Sequence, residues 1–400
     1  MRNRSNDEAM SKSEHKIRLL LIGPTPPPYH GVAVAISQLL LSRVIDEFDV
    51  THLDLADRRG IAHVNKPDWH DVVLFIRQWW RCWRLLLTRR PHMMYLVLSQ
   101  TTLGFVRDSL LIWPSVLFGT KIVTHLHGGA LREWYDARWP LTRAYVRLVL
   151  RTIDKMIVLG ESLRGIFAGL LPDDRIAVVP NGVDLLLEEP ERQLPNGNRP
   201  WRILHLNTLN RMKGTLILLA AIPTVLRQRR DVAFVFAGSW SHALHRQVAE
   251  WYIAQHRLSP YVTFTGEVTG LEKHALLRSA DVFVFPGLQQ EGQPLVVLEA
   301  MAAGLPIVFT NQGCLRETVV NGECGIETYT EDPYDLAQRL CFLLEHPEDQ
   351  RRFGSNARRR CQLLYNKDRH IERMIQVFRE VAAESSHSHR TSSLGASQPH

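Results

Sequence analysis

Three features are missing from this sequence, and each absence argues against a class of protein. No two of its five cysteines form a C-x-x-C pair and none has a histidine at metal-ligand spacing, so reduced thiols in the cytoplasm are favoured over a disulfide framework or a zinc site. These cysteines are Cys82, Cys314, Cys324, Cys341 and Cys361.

No apolar run reaches the roughly eighteen residues that a membrane-spanning helix needs. The run IRLLLIG stops at PTPPP, SLLIWPSVLFG contains Pro114, and no apolar segment precedes Ile17, so neither a signal peptide nor an integral membrane protein is expected.

Positive charge is in modest excess. The chain has 48 Lys and Arg against 41 Asp and Glu, a formal net charge of +7, which favours an anionic partner such as nucleic acid, anionic lipid or a phosphorylated small molecule. With 400 residues, 45% of them apolar, the chain exceeds what one core needs, so two domains are expected. Residues 1–15 and 385–400 have no apolar periodicity and are predicted to be flexible tails.

From Ile17 onward, short apolar runs alternate with longer helical patterns, an order typical of parallel sheets. The runs of the first half are IRLLLI, FDVTHLDL, MMYLVLS, KIVTHL, KMIVL and IAVVP. After the polar segment 185–200 the pattern restarts with RILHLN, VAFVFAG, VTFTGE, DVFVFPG and PIVFT. We therefore predict an α/β protein of two Rossmann-like, doubly wound domains facing a cleft, over residues 16–190 and 191–365. A helix over 366–384 could cross back to the first domain.

The loop after the first strand can hold an anion. In open parallel sheets, ligands bind beyond the carboxyl ends of the strands, and the first strand is followed there by GPTPPPYHGVAVAISQLL, in which a helix begins beside Gly31. Main-chain N–H groups at a helix start can receive a phosphate. The loop is not G-x-G-x-x-G and no acidic residue follows the second strand in the expected register, so a nicotinamide dehydrogenase is disfavoured. A rigid turn without a ligand is the alternative.

The second half repeats this arrangement in LNTLNRMKGTLILLAAI. Arg211 and Lys213 stand between a strand and a helix that opens near Gly214. Cations are poorly placed at a helix N-terminus, whose dipole prefers negative charge. An anionic ligand would remove this conflict, although a solvated turn could also carry both charges.

Two acids occur in a nearly uncharged stretch, PGLQQEGQPLVVLEAMAAGLPIV. The pattern predicts a strand ending in PG, a loop LQQEGQ that presents Glu291 to the cleft, and a helix with Pro294 in its first turn and Glu299 a little over one turn inside. A carboxylate that accepts hydrogen bonds from vicinal hydroxyls suits a ribose or another sugar. The pair therefore fits a sugar nucleotide, with one acid near the sugar and one near the ribose.

This constellation resembles family four of the retaining glycosyltransferases, which have the GT-B fold. The likeness covers the chain from Gly23 to about Tyr365, and its most specific part is the E-x7-E stretch with its continuation EAMAAGLPIV. The resemblance implies that Glu299 binds the donor ribose and that Glu291 contacts the transferred sugar. It also implies that the donor meets main-chain N–H groups at the helix start. These would come from Gly292, Gln293, Pro294 and Leu295, of which the proline contributes position rather than an N–H.

The resemblance assigns two further cleft residues. Lys213 matches the lysine that grips the diphosphate, whereas the family's arginine falls on Thr208, and Arg211 could substitute for it. THLHGG places His127 where a family histidine approaches the donor sugar; a satisfied core histidine is the alternative. The glycine-rich first loop implies a phosphate contact at Gly31, next to His30, where the family often has a second glycine.

The implied reaction is transfer of a sugar from a nucleoside diphosphate sugar to a hydroxyl acceptor, such as a surface polysaccharide or glycolipid. Preorganised cations and helix N–H groups would stabilise the leaving diphosphate, so neither a metal nor a separate cofactor is expected. No carboxylate for a double displacement is identifiable, which favours same-face attack. Two alternatives stay open: a catalytically silent subunit that binds sugar nucleotides, and a sugar-nucleotide epimerase.

Residues 68–90, DWHDVVLFIRQWWRCWRLLLTRR, combine arginines at helical spacing with flanking tryptophans. Arg77, Arg81 and Arg84 form one stripe beside Trp79, Trp80 and Trp83, and a second stripe is formed by Arg143, Arg147 and Arg151. Such a helix can lie at an anionic membrane surface, which would make the protein peripheral at the inner face of the membrane. An ordinary domain helix with solvated arginines is the alternative. Nucleic acid is not expected as a partner, since no binding module accompanies the stripes.

Overall fold

The computed structural model describes residues 16–59, 69–185, 194–195 and 199–394, with side chains described as far as residue 384. The tail predicted over 1–15, residues 395–400 of the tail predicted over 385–400, and most of the linker around residue 190 lie outside these residues. Two parallel six-stranded sheets, each covered by helices on both faces, make up the described chain. The predicted fold class, two doubly wound α/β domains, is confirmed.

The N-terminal sheet has the strand order β2-β1-β3-β4-β5-β6. Its strands are β1 (Arg18–Gly23), β2 (Asp49–Asp54), β3 (Met93–Val97), β4 (Lys121–Leu126), β5 (Lys155–Val158) and β6 (Ile176–Val178). In β1 the residues after Arg18 are all buried, because both faces of a parallel sheet are covered by helices. This double burial explains why the strands read as continuous apolar runs.

Helices follow nearly every strand of this sheet. They are α1 (Gly31–Leu40), α2 (Val44–Glu47), α3 (Trp69–Arg89), α4 (Thr102–Leu117), α5 (Leu131–Asp136) and α6 (Pro140–Arg151), followed by the 3-10 helices Glu161–Phe167 and Asp173–Arg175. The predicted tryptophan stripe of α3 is divided: Trp79 packs against the core and donates its indole N–H to Leu110 O at 3.1 Å, whereas Trp80 is 64% exposed.

The C-terminal sheet has the order β12-β11-β10-β7-β8-β9. Its strands are β7 (Trp201–Leu206), β8 (Val232–Ala237), β9 (Val262–Gly266), β10 (Val282–Phe285), β11 (Ile307–Thr310) and β12 (Gly325–Thr328). Its helices are α7 (Thr215–Gln228), α8 (Ala243–Gln255), α9 (Gly270–Ser279), α10 (Leu295–Ala302), α11 (Leu315–Thr318), α12 (Pro333–Glu345) and α13 (Pro347–Leu364). Strand β12 was not predicted, because GIET carries neither an apolar run nor a clear alternation.

The last helix, α14 (Lys367–Leu394), returns to the N-terminal sheet. Phe378 packs edge-on against Phe48 and Tyr95, with ring centroids 5.7 and 5.6 Å apart. The helix continues to Leu394, past residue 384, where the sequence predicts that a tail begins. Within the described ranges, no helix is both long and apolar enough to cross a bilayer.

Candidate functional site

A pocket lies between the two sheets, beyond the carboxyl ends of β1, β4, β7 and β10. Its cavity volume is about 260 Å³, and it opens to solvent. The lining residues are His30, Gly31, Val32, His127, Asn181, Asn207, Lys213, Phe285, Glu291, Gly292, Gln293, Pro294, Leu295 and Val296. Both domains therefore contribute to one site.

The structure brings eight of the ten predicted site residues into this lining. They are Gly31, His127, Lys213, Glu291, Gly292, Gln293, Pro294 and Leu295. Arg211 and Glu299 are not among the lining residues. Among the described residues, no three His, Cys, Asp or Glu side chains are grouped as a metal site would require.

Glu291 and Lys213 form an ion pair inside the pocket. The Lys213 Nζ lies 2.5 Å from Glu291 Oε1, and the two side chains are 20% and 12% exposed. Gln289 Nε2 donates to the same carboxylate oxygen at 2.9 Å. The cation and the acid that the sequence assigns to different parts of a ligand thus neutralise each other in this structure.

Beside this ion pair the two domains approach so closely that a side chain at position 292 would clash with the N-terminal domain. Residues Gly128 and Glu291 form an antiparallel bridge, and Gly129 N donates to Gln290 O at 3.4 Å. A Cβ added to Gly292 would lie 2.1 Å from His127 O, far inside van der Waals contact. The sequence QEGQ is therefore shaped by the approach of the N-terminal domain as well as by any ligand.

His127 is a neutral imidazole at the pocket wall. Burial lowers the pKa of His127 to about 3, because a charged ring would be desolvated there. Its Nε2 is buried and has no hydrogen-bond partner, and its ring stacks 4.0 Å from His125. His125 itself is buried and contacts the Tyr95 hydroxyl through Nδ1 at 2.8 Å. His127 can therefore offer one uncharged hydrogen bond to a ligand.

Glu299 lies on α10 and is held by a lysine that sequence reasoning missed. Lys273 Nζ on α9 is 2.6 Å from Glu299 Oε1, while Glu299 Oε2 is buried without a partner. No sequence signal joins Lys273 to Glu299, because they lie on different helices. One carboxylate oxygen remains available as an acceptor.

Arg211 lies outside the pocket lining. Its guanidinium pairs with Glu331 at 3.2 Å, and both side chains are exposed. Lys213 is instead held in place by its turn: Lys213 N donates to Asn210 Oδ1 at 2.8 Å. Gly214 caps α7 at φ 81°, and a Cβ there would lie 2.0 Å from Pro286 O. The two loops of the C-terminal domain are therefore packed together at the pocket floor.

Three further lining residues were not predicted as contacts. His30 Nδ1 accepts from Ala33 N at 3.3 Å and so caps α1, which explains a side chain where the resemblance places glycine. Asn181 binds Gln293 across the cleft: Asn181 N donates to Gln293 Oε1 at 2.7 Å, and Asn181 Nδ2 donates to the main-chain O of Gln293 at 2.8 Å. Asn207 follows β7 and lines the pocket.

Comparison with known proteins assigns both halves of the chain. A family model described as Glycosyltransferase Family 4 matches residues 8–186, and one described as Glycosyl transferases group 1 matches residues 188–360. Spore coat protein SA of Bacillus subtilis is 32% identical over 180 residues, 44% of this chain and 48% of that protein. The MMP alpha-(1->4)-mannosyltransferase of Mycolicibacterium hassiacum is 32% identical over 285 residues, 66% of each chain. The chain spans about half the length of the first curated relatives it matches.

Solved structures share the fold at low identity. HepE of Anabaena in complex with UDP superposes with a TM-score of 0.70 at 16% identity, covering 91% of this chain and 100% of that one. Sucrose-phosphate synthase from Thermosynechococcus elongatus gives a TM-score of 0.71 at 18% identity, covering 92% and 100%. The described residues therefore share the two-domain fold of these proteins.

Proposed function

The chain belongs to family four of the GT-B glycosyltransferases, and on that premise we propose that it moves a sugar from a nucleoside diphosphate sugar to a hydroxyl acceptor. The observation that carries the proposal is the interdomain pocket, in which Lys213, Glu291 and the start of helix α10 meet. The complex of HepE with UDP shows a nucleoside diphosphate bound to a protein of this fold.

Each part of the donor has a chemically matched group, either in the pocket or on helix α10, whose start lines it. The diphosphate is assigned to Lys213 and to the N–H groups where α10 begins, since a helix start favours anions. The transferred sugar is assigned to Glu291 and His127. The ribose is assigned to the unpartnered Oε2 of Glu299, which requires the pocket to extend one turn along α10 when the donor binds. With these groups meeting the charge, the proposal assigns no metal and no separate cofactor.

We assign a retaining reaction with same-face attack. Of the described residues that line the pocket, Glu291 is the one carboxylate, and it is paired with Lys213. A double displacement would need a carboxylate free to bond the anomeric carbon. In the proposed step the acceptor oxygen bonds the anomeric carbon as the bond to the phosphate oxygen breaks, and the acceptor proton passes to that departing oxygen.

The acceptor is proposed to be lipid-linked or a growing surface glycan, reached at the cytoplasmic face of an anionic membrane. Helix α3 supports this with an exposed surface, here named the tryptophan face. Its apolar members are Trp69, Val73, Ile76, Trp80 and Leu87, and its basic members are Arg77, Arg81 and Arg84. Exposed indoles and arginines on one helix surface suit the boundary between head groups and acyl chains.

A thermal-shift screen of UDP-, GDP- and ADP-sugars tests the donor site. At least one sugar nucleotide should raise the melting temperature of the parent protein by mass action, whereas Lys213→Ala and Glu299→Ala should respond weakly because each loses a group assigned to the donor. Glu331→Gln is the matched control, since Glu331 forms an ion pair outside the pocket lining. A parent protein that no sugar nucleotide stabilises, or variants that respond as the parent does, would overturn the assignment.

A further inference from the structure

Asn207 has a side chain whose orientation is fixed and whose donor is unused. Its Oδ1 accepts from Thr208 N at 2.9 Å, so the other end of the amide is the Nδ2 donor. That Nδ2 is buried without any partner, although Asn207 lines the pocket together with Lys213. A buried donor without an acceptor is unfavourable, which indicates that a ligand supplies the acceptor.

The pocket is short of positive charge for a diphosphate. Lys213 is already paired with Glu291, and Arg211 is engaged by Glu331 outside the lining. Thr208 occupies the place where the sequence resemblance implies an arginine. Among the described lining residues, Lys213 is the one lysine or arginine, so neutral donors must satisfy the remaining phosphate oxygens.

We propose that Asn207 Nδ2 donates a hydrogen bond to a diphosphate oxygen of the donor and so compensates for the arginine absent at Thr208. This inference rests on the proposed function. The chemistry fits because phosphate oxygens accept hydrogen bonds, while the hydrogen bond from Thr208 N occupies the amide oxygen and leaves Nδ2 as the unused donor.

The competing explanation is structural: the side chain would serve only to hold the turn through Oδ1. Asn207→Asp separates the two, because aspartate keeps an oxygen for Thr208 N but replaces the donor with an anionic acceptor. Asn321→Asp is the matched control, since Asn321 Oδ1 likewise accepts a main-chain N–H, that of Glu327 at 2.9 Å, on the exposed surface.

Isothermal titration with UDP, GDP and ADP, each compared with its nucleoside, measures the effect. For the nucleoside diphosphate that the parent binds, Asn207→Asp should weaken affinity more than about tenfold and Asn207→Ala about tenfold, while affinity for the nucleoside stays at the parent value. Asn321→Asp should bind as the parent does.

The outcomes separate this inference from the proposed function. If the parent binds no nucleoside diphosphate, the proposed function fails. If the parent binds one and Asn207→Asp binds it equally well, the proposed function stands and the Asn207 contact is wrong. Equal losses for diphosphate and nucleoside would assign Asn207 a structural role and also overturn the inference. Should Asn207→Asp fail to fold, Asn207→Ala decides by the same comparison.

Discussion

At the residue scale, the ion pair between Lys213 and Glu291 implies that Glu291 and the donor diphosphate compete for the same lysine. The 2.5 Å contact occupies the lysine that the donor diphosphate needs. Binding a diphosphate must replace one anionic partner of Lys213 with another, and the displaced carboxylate becomes free to accept hydroxyls of the transferred sugar. In the proposed donor complex, this one ion pair is thus exchanged for two contacts, one from Lys213 to the diphosphate and one from Glu291 to the sugar.

Glu291→Gln should therefore separate binding from transfer. The neutral amide releases Lys213, so affinity for the nucleoside diphosphate alone should rise roughly threefold or more, while the transfer rate falls because the sugar loses its anionic acceptor. Titration calorimetry and a transfer assay on one preparation check both effects. Glu331→Gln, which releases Arg211 outside the pocket lining, should change neither. A Glu291→Gln protein that binds the diphosphate more weakly would contradict the competition.

Glu291 and Glu299 could be predicted as candidate site residues from the sequence, but their ion-pair partners could not. Glu291 and Glu299 were predicted from their spacing in an otherwise nearly uncharged stretch. Their partners come from elsewhere: Lys213 from the β7 to α7 turn and Lys273 from α9. Arg211 was assigned to the ligand because charge type alone does not reveal that Glu331 faces it. Side-chain pairing over such separations depends on tertiary packing, which local patterns do not encode.

At the element scale, the domains are joined by a carboxylate placed at a helix start. Glu317 on α11 accepts from Glu161 N at 2.9 Å and from Ser162 N and Oγ at 3.0 Å. Glu161 and Ser162 open the 3-10 helix of the N-terminal domain, where main-chain N–H groups lack partners and favour an anion. Most strand and helix positions were predictable from apolar runs. The hydrogen bonds of Glu317 were not, because they join elements of two different domains, and apolar runs carry no information about contacts between domains.

Glu317→Ala should loosen the closed arrangement. Three hydrogen bonds to one carboxylate disappear, so the radius of gyration in solution scattering should increase, and the apparent affinity for the donor should fall because a smaller fraction of molecules is closed. Glu323→Ala is the control: it removes the same charge from an exposed position of the same domain. An unchanged radius of gyration together with unchanged donor affinity would show that the Glu317 hydrogen bonds do not hold the two domains in the closed arrangement.

At the scale of the whole molecule, the two domains present different surfaces. The N-terminal domain exposes the tryptophan face, and α6 adds a second basic surface with exposed Arg147, Leu148 and Arg151. The apolar side of α3 enters the core through Cys82 and Leu86, and Phe75, Trp79 and Leu85 pack against that core. The interpretation of α3 as an ordinary domain helix therefore accounts for its buried side and leaves the exposed side unexplained.

The tryptophan face should bind vesicles through apolar and ionic contacts together. The parent should cosediment with phosphatidylcholine vesicles containing about 30% phosphatidylglycerol and much less with neutral vesicles, since each arginine near an anionic surface contributes about 1 kcal/mol. Trp69→Ser combined with Trp80→Ser should reduce binding at least about tenfold, because exposed indoles anchor at the interface.

Trp251→Ser is the matched control. Trp251 and Trp80 are 61% and 64% exposed, but Trp251 lies on α8 of the C-terminal domain, so this variant should bind vesicles as the parent does. Binding that survives the double substitution, or a parent that stays in the supernatant with anionic vesicles, would leave the acceptor to be sought among soluble glycans.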